Sequence, residues 1–342
     1  MAELVSVIIP TYNRAHCLAR AVDSALNQSH AEVEVVVVDD GSSDGTGDLV
    51  RSRYDGNPRV RYLWQANAGV AGARNTALAA AAGDYVAFLD SDDWWQPWKL
   101  QLQLTVLRAF PEAGMVWSEM EARDPAGGLV QARYLRTYYG AYRWFSSPAD
   151  LFTERRFIAG PDGEVAAYAG DIYSAMIMGN LVHTSTALLR RERLERVGGF
   201  DLALAPVGED YDFHLRTCRA GPVTFADVAS IHYQVGTTDR LTGHRRTMAT
   251  NYLGTISRAV EQDAQRITLP PRMLHMAFAD AHRWIAEVLV EEGCRVEGRR
   301  HYGQSLRHYP WQPRAIAQMA LCTLPSGTAS LLRHAWHRLH RV

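Results

Sequence analysis

Residues 84–93 read Asp-Tyr-Val-Ala-Phe-Leu-Asp-Ser-Asp-Asp, an apolar run that ends in three carboxylates. In an extended chain alternate side chains share a face, so the pattern places Asp90 and Asp92 together and turns Asp93 away. Two carboxylates on one face repel each other unless a cation lies between them. Hard divalent ions such as Mg2+ or Mn2+ take carboxylate oxygens and commonly share them with phosphates. A lone Asp-x-Asp is ordinarily a solvated acidic turn. Here a second apolar run, residues 35–38, ends the same way in Asp39-Asp40-Gly41-Ser42-Ser43, and the recurrence favours a built site.

Two such edges need a sheet to hold them. Residues 5–9, 34–38, 60–64 and 85–89 read as buried strands. Helical signals lie between them: Leu18, Val22, Ala25 and Leu26, then residues 44–53, then the alanine-rich stretch 72–82 stopped by Gly83. A further helix starts near Pro97, where proline suits the first turn. Near-continuous apolar strands joined by helices predict an α/β fold with a doubly wound, mostly parallel sheet. Ligands of such sheets bind beyond the carboxyl ends of the strands. That rule gathers Pro10-Thr11-Tyr12-Asn13, Asp39-Asp40 and Asp90-Ser91-Asp92 around one crevice.

Residues 122–179 loosen into Gly, Pro and aromatic positions (Tyr134, Tyr138, Tyr139, Tyr142, Trp144 and Phe145 among them) and predict an irregular insertion beside the crevice. Order returns over 181–189, in a helix near 191–197, and in a helix opened by Gly208-Glu209-Asp210. Strands follow near 223–225 and 229–234, and beyond about 247 the chain reads as helices only. The expected organisation is a sheet domain over 1–245, with halves 1–120 and 121–245, followed by a helical extension over 246–342.

Composition narrows the function classes. With 342 residues, 47% of them apolar, the chain can build a substantial core. A formal net charge of −1 argues against a nucleic-acid partner. Cys17, Cys218, Cys294 and Cys322 are far apart and form no metal-ligand spacing, as expected of packing thiols in a reducing compartment. No basic-then-apolar leader opens the sequence, and no apolar stretch approaches about 18 residues. A cytoplasmic protein is expected.

Six segments, in order, resemble the motifs of the family 2 glycosyltransferases. They are Val5-Ser6-Val7-Ile8-Ile9-Pro10-Thr11-Tyr12-Asn13-Arg14; Val38-Asp39-Asp40-Gly41-Ser42; Asn67-Ala68-Gly69 with Ala73-Arg74-Asn75; Gly83-Asp84-Tyr85 through Asp90-Ser91-Asp92-Asp93; Gly198-Gly199-Phe200-Asp201; and Gly208-Glu209-Asp210-Tyr211-Asp212. The resemblance covers about residues 4–235. It implies a GT-A fold and transfer of a sugar from a nucleotide-sugar with inversion at the anomeric carbon. It assigns Pro10, Thr11, Tyr12, Asn13, Asp40, Asn67, Gly72, Arg74, Asp90 and Ser91 to the nucleotide. Asp40 would accept the N3–H of a uracil, so a UDP-sugar is the favoured donor. Asp92, with Asp90, would hold Mg2+ or Mn2+. The family's late metal-binding histidine is replaced by Gly236 in Tyr233-Gln234-Val235-Gly236, and His232 or His244 is the nearest substitute. Asp210 would be the general base and Glu209 would orient the acceptor, because an attacking hydroxyl must lose a proton and a positioned carboxylate can take it. His183, Thr184 and Ser185 fall where the family lines its acceptor pocket, for a glycan or lipid-linked acceptor.

Two other classes compete. A sugar nucleotidyltransferase would usually open with a glycine-rich basic loop, where this chain has Pro10-Thr11-Tyr12-Asn13-Arg14. A catalytically inactive sugar-nucleotide-binding protein has no need of Asp90, Asp92 and Asp210 together. At the end of the chain Leu332, Trp336 and Leu339 share a helical face beside Arg333, Arg338 and Arg341. Such a stripe suits peripheral contact with the inner face of a membrane; it equally suits packing on preceding helices or on a second copy of the chain in a homodimer.

Overall fold

The structure, a computed structural model, describes residues 3–236 and 243–323. The chain divides into two compact units, Met1–Leu241 and Thr242–Val342.

The first unit begins with β1 (Val5–Thr11), α1 (Leu18–Leu26), β2 (Val33–Asp39), α2 (Thr46–Tyr54), β3 (Val60–Trp64), α3 (Gly69–Ala80) and β4 (Tyr85–Phe88). β1 is buried along its whole length and β2 at all but one position, as strands covered on both faces must be. β1 lies between β2 and β4 and runs parallel to both, with Thr11 level with Asp39 and Ile8 level with Phe88. The strand order β3-β2-β1-β4 therefore brings the carboxyl ends of β1, β2 and β4 side by side.

The chain continues through β5 (Trp94–Trp95), α4 (Lys99–Ala109), β6 (Met115–Arg123), β7 (Leu129–Gln131), α5 (Leu135–Tyr138), β8 (Glu154–Gly160), β9 (Gly163–Gly170), α6 (Tyr173–Met176), β10 (Leu188–Arg190), α7 (Arg191–Val197), α8 (Glu209–Arg219) and β11 (Val223–Gln234). β10 sits antiparallel between β4 and β6, and β6 runs parallel to β11. The result among the described residues is one mixed, eleven-stranded sheet.

The insertion over 122–179 is more regular than its sequence predicts. β8 and β9 form a hairpin that pairs with β11 and extends the sheet. β8 is exposed at all but two of its positions, so it carries no apolar run by which to recognise it. The two strands expected over 223–225 and 229–234 are one strand, β11, with register shifts between Ala226 and Ile231.

Beneath the strand ends, Phe88 of β4 meets Phe200 edge-on at 5.4 Å, and Phe200 stacks on Phe213 of α8 at 4.3 Å. Asn75 of α3 clamps the Phe200 backbone, donating to its carbonyl at 2.9 Å and accepting from its N–H at 2.8 Å. These contacts fix the first turn of α8 over the end of β4.

The second unit contains α9 (Arg245–Asp263), α10 (Pro271–Glu291), α11 (Arg295–His308) and α12 (Pro313–Leu321). Ala286, Val290, Tyr302 and Ala315 form one of its buried clusters. None of the described helices is long and apolar enough to cross a membrane. The stripe from Leu332 to Arg341 lies outside the described residues.

Candidate active site

Three groups of side chains meet the carboxyl edge of the sheet. The first follows β1 and β2. Asp39 shapes its own turn, accepting from the Ser42 N–H at 2.8 Å and the Tyr62 hydroxyl at 2.7 Å. Asp40 is buried and serves the start of α3. Its Oδ1 accepts from the Ala68 N–H at 2.8 Å and Gln65 Nε2 at 2.6 Å, and its Oδ2 accepts from the Gly69 N–H at 2.9 Å. The carboxylate thus satisfies donors that a helix leaves free at its first turn, which explains why α3 starts three residues before its alanine-rich stretch. Asn67 adds a bond from its side chain to the Asp40 carbonyl at 2.9 Å. Asn13 holds a left-handed backbone (φ 53°) and is tied to the neighbouring loop by Ser42 and Ser43. Pro10 and Thr11 are buried at the strand end, whereas Tyr12 is 50% exposed. Gly72 is buried in α3, where a Cβ would stand 2.7 Å from that of Ala68; its smallness serves helix packing.

The second group follows β4. The chain does not stay extended past Asp90: the Asp93 N–H donates to the Asp90 carbonyl at 3.0 Å, closing a turn. The period-two alternation ends there, and Asp93 swings back beside Asp90 and His183, with ligand atoms of all three within 4.8 Å of one another. Asp93 is 2% exposed, and the donors nearest its carboxylate, the Ser185 hydroxyl and the Gln234 backbone N–H, lie close to it but outside good hydrogen-bond geometry. Burial, then the charges of Asp92 and Asp90, push its carboxyl well above the usual range. Burial alone would raise Asp90 too, but Arg74 and His183 hold it below the usual range. A buried, unsatisfied carboxylate is costly, and a cation among two carboxylates and an imidazole removes that cost. The donor set suits Mn2+ or Mg2+, so the residues present fit the ion. Asp92 is partly exposed and outside this group of three. Ser91 is buried.

The third group joins α3 to α8. Arg74, 4% exposed, donates to Asp90 Oδ1 and to Glu209 Oε1, each at 2.8 Å. Burial and the adjacent Asp210 push Glu209 up to about 7 in spite of Arg74. Burial likewise raises Asp210, with Arg74 opposing. Asp210 lies near Asn180, whose amide reaches it at 3.4 Å. One guanidinium thus couples the turn after β4 to the first residue of α8.

Two expected roles shift with these positions. His232 is not in the group with Asp90: its Nδ1 bonds Glu121 and its ring stacks on Trp94 at 4.9 Å. The alternation of β11 accounts for this, since His232 pairs opposite Trp94 of β5. His183, expected to line an acceptor pocket, stands with Asp90 and Asp93 instead. Ser185 is fully buried, accepts the Asp90 N–H at 3.1 Å, and gives its carbonyl to Trp95 Nε1 at 2.9 Å. Thr184 is buried on His214 at 3.2 Å. Ser185 supports the turn after β4, and Thr184 ties its segment to α8. Sequence reading missed Asp93 and the ring cluster of Tyr138, Tyr139 and Tyr233 around His183; the aromatic density of the insertion was the available signal for the latter.

Comparison with known proteins identifies the family and the fold. The model of glycosyl transferase family 2 matches residues 6–151, and that of glycosyl transferase family group 2 matches residues 85–336. An uncharacterized glycosyltransferase of Nostoc sp. is 43% identical over 113 residues, 33% of this chain and 35% of that protein. The chondroitin synthase of Pasteurella multocida is 39% identical over 131 residues, 38% of this chain and 14% of that protein. The chain thus spans much less than two thirds of these relatives. Among solved structures, the mannosyltransferase PcManGT from Pyrobaculum calidifontis, in complex with GDP-Man and Mn2+, superposes with a TM-score of 0.59 at 21% identity over 100% of this chain and 82% of that one. S. aureus TarS 1-349 in complex with UDP-GlcNAc gives 0.53 at 17% identity over 90% and 89%. These likenesses establish the GT-A type of fold.

Proposed function

Because the chain belongs to the family 2 glycosyltransferases, we propose that it moves a sugar from a nucleotide diphosphate donor to an acceptor hydroxyl by a single inverting displacement. The observation that carries this reading is the Arg74 bridge, which sets the Glu209-Asp210 pair beside the acids that follow β4. Asp210 takes the proton of the attacking hydroxyl. The new bond forms at the anomeric carbon as the bond to the diphosphate breaks, so the configuration inverts. Glu209, held by Arg74, orients the acceptor. Asp90, Asp93 and His183 would hold Mg2+ or Mn2+, with Asp92 of the same turn as a further ligand, and the ion supplies Lewis-acid stabilisation of the departing diphosphate.

The donor base follows from Asp40. A carboxylate has about four acceptor positions, and three are occupied by Gln65, Ala68 and Gly69, two of them on Oδ1. One position on Oδ2 remains, enough for the single N3–H of uracil. A guanine presents two adjacent donors and needs both oxygens, so UDP-sugars are favoured over GDP-sugars. The chondroitin synthase relative supports a glycan acceptor.

Transfer from a panel of UDP- and GDP-sugars, with the product anomer read by NMR, tests the proposal. Asp210→Asn is expected to lower turnover by about 10²–10⁴ with donor binding retained. A product that keeps the donor's configuration refutes direct displacement, and undiminished turnover by Asp210→Asn refutes the base.

A further inference from the structure

The helical unit carries a feature that sugar transfer does not use. Four of the chain's 13 histidines line the seam between α10 and α11. His275 and His282 are seven residues apart on α10, and His301 and His308 are seven apart on α11. Seven residues are two helical turns, so each pair occupies one face. The short turn between α10 and α11 makes the helices antiparallel neighbours, and the histidines meet in antiparallel order. His282 Nδ1 stands 3.1 Å from His301 Nδ1, and His275 Nδ1 stands 3.5 Å from His308 Nδ1. The His282 and His308 rings stack at 5.8 Å, and Phe278 stacks on His308 at 5.2 Å and fixes its plane.

Two ring nitrogens at such a distance cannot both aim a lone pair at the other. Either one of them carries the hydrogen and donates it, or both lone pairs converge on a cation. Imidazole nitrogens bind Zn2+ at about 2.0–2.1 Å. Two of them on one ion then stand about 2.9–3.4 Å apart for angles between square and tetrahedral. The His282–His301 separation falls inside that range, and the His275–His308 separation lies just beyond it. The nearby carboxylates are engaged elsewhere: Asp280 and Glu287 pair with Arg283, and Glu297 pairs with Arg246. Glu297 acts on His301 but pairs with Arg246 at the surface; with imidazole the main donor among the described residues of the seam, the seam suits Zn2+, Ni2+ or Cu2+ and disfavours the hard ions of the oxygen-rich site.

We infer that the α10–α11 seam is a second metal site, specific for a late first-row transition ion, with His282 and His301 as its primary clip and His275 and His308 as its second. The two pairs do not close into one three-ligand set, for the described residues hold such a set only at Asp90, Asp93 and His183. Water completes the coordination at the seam, and the bound ion ties α10 to α11. An ion that binds only the folded unit raises its stability by mass action.

The test uses the full chain and Zn2+ alone. Crystals soaked in Zn2+ and measured at the zinc absorption edge are expected to show an anomalous peak between His282 and His301. In calorimetric titration the double variant His282→Gln, His301→Gln is expected to lose one Zn2+ per chain, or to bind it about 10-fold or more weakly. Zn2+ is expected to raise the unfolding temperature of wild type by a margin the variant loses. His275→Gln with His308→Gln retains the primary clip and serves as the second variant should the first not fold. Its expected result is a retained peak at His282 and His301. Zinc peaks only elsewhere, or equal stoichiometry and affinity in wild type and the His282–His301 variant, overturn the site and leave a plain N–H···N contact.

Discussion

Two acidic turns leave neighbouring strands of one sheet and meet opposite fates. After β2, three of the acceptor positions of the Asp40 carboxylate are taken by protein donors, Gln65, Ala68 and Gly69. After β4, the Asp93 carboxylate is equally buried, and the nearby Ser185 hydroxyl and Gln234 backbone N–H do not reach good hydrogen-bond geometry with it. The sequences look alike, an apolar run followed by consecutive acids, yet one acid builds a helix start and the other is buried beside a second acid and a histidine. The difference lies in what the next element offers. α3 turns its free N–H groups toward Asp40, whereas the turn at Asp90–Asp93 brings Asp93 to another acid and a histidine.

The largest expected effect comes from breaking the link between the β4 turn and α8. Arg74→Leu leaves Glu209 buried and Asp90 partly buried without their shared cation, and removal of one partner from a buried pair costs about 3–5 kcal/mol. Chemical denaturation measures it, and a loss under 1 kcal/mol, roughly what an exposed pair contributes, contradicts the bridge.

Opposite signs are expected at the two turns themselves. In metal-free protein at neutral pH Asp93→Asn should raise stability, because burial and the charges of Asp92 and Asp90 disfavour an ionised group there and the amide carries no charge. Asp40→Ala should lower it by about 0.5–2 kcal/mol, as the loss of a helix cap does. Melting curves in EDTA give both, and changes of the same sign erase the comparison.

A further effect is a slope with pH. Glu209 is raised from 4.5 to about 7, by burial first and then by Asp210. A carboxyl raised on folding contributes stability that is full below its unfolded value and is lost as pH rises through its folded value. Stability should therefore fall between about pH 4.5 and 7, and Glu209→Gln should flatten that fall. Melting temperatures taken across this window check it, and an unchanged slope in the variant removes Glu209 as the source.

Much of this was legible beforehand for identifiable reasons. The Val-rich runs of β1 and β2 are buried on both faces, so composition alone identifies them as central parallel strands. Asp40 and Asp90 follow strand ends, where the ligand rule for open sheets places them, whereas Arg74, Glu209 and Asp210 were legible through the family resemblance. β8 was illegible because it is an exposed edge strand whose side chains are set by solvent. Asp93 was misplaced because alternation holds only while the chain stays extended, and a turn hydrogen bond ends it at Asp90. His183 is about ninety residues from that turn, and only the antiparallel β10, packed against β4, brings its segment there.

The account depends most on the claim that the turn after β4 holds the divalent ion. Mn2+ binding to the full chain, followed by electron paramagnetic resonance with and without UDP, examines it directly. Asp93→Asn and His183→Ala are each expected to weaken Mn2+ binding by about 10-fold or more, while His232→Gln leaves it unchanged. Equal Mn2+ affinity in wild type, Asp93→Asn and His183→Ala, with full sugar transfer in excess EDTA, would contradict it.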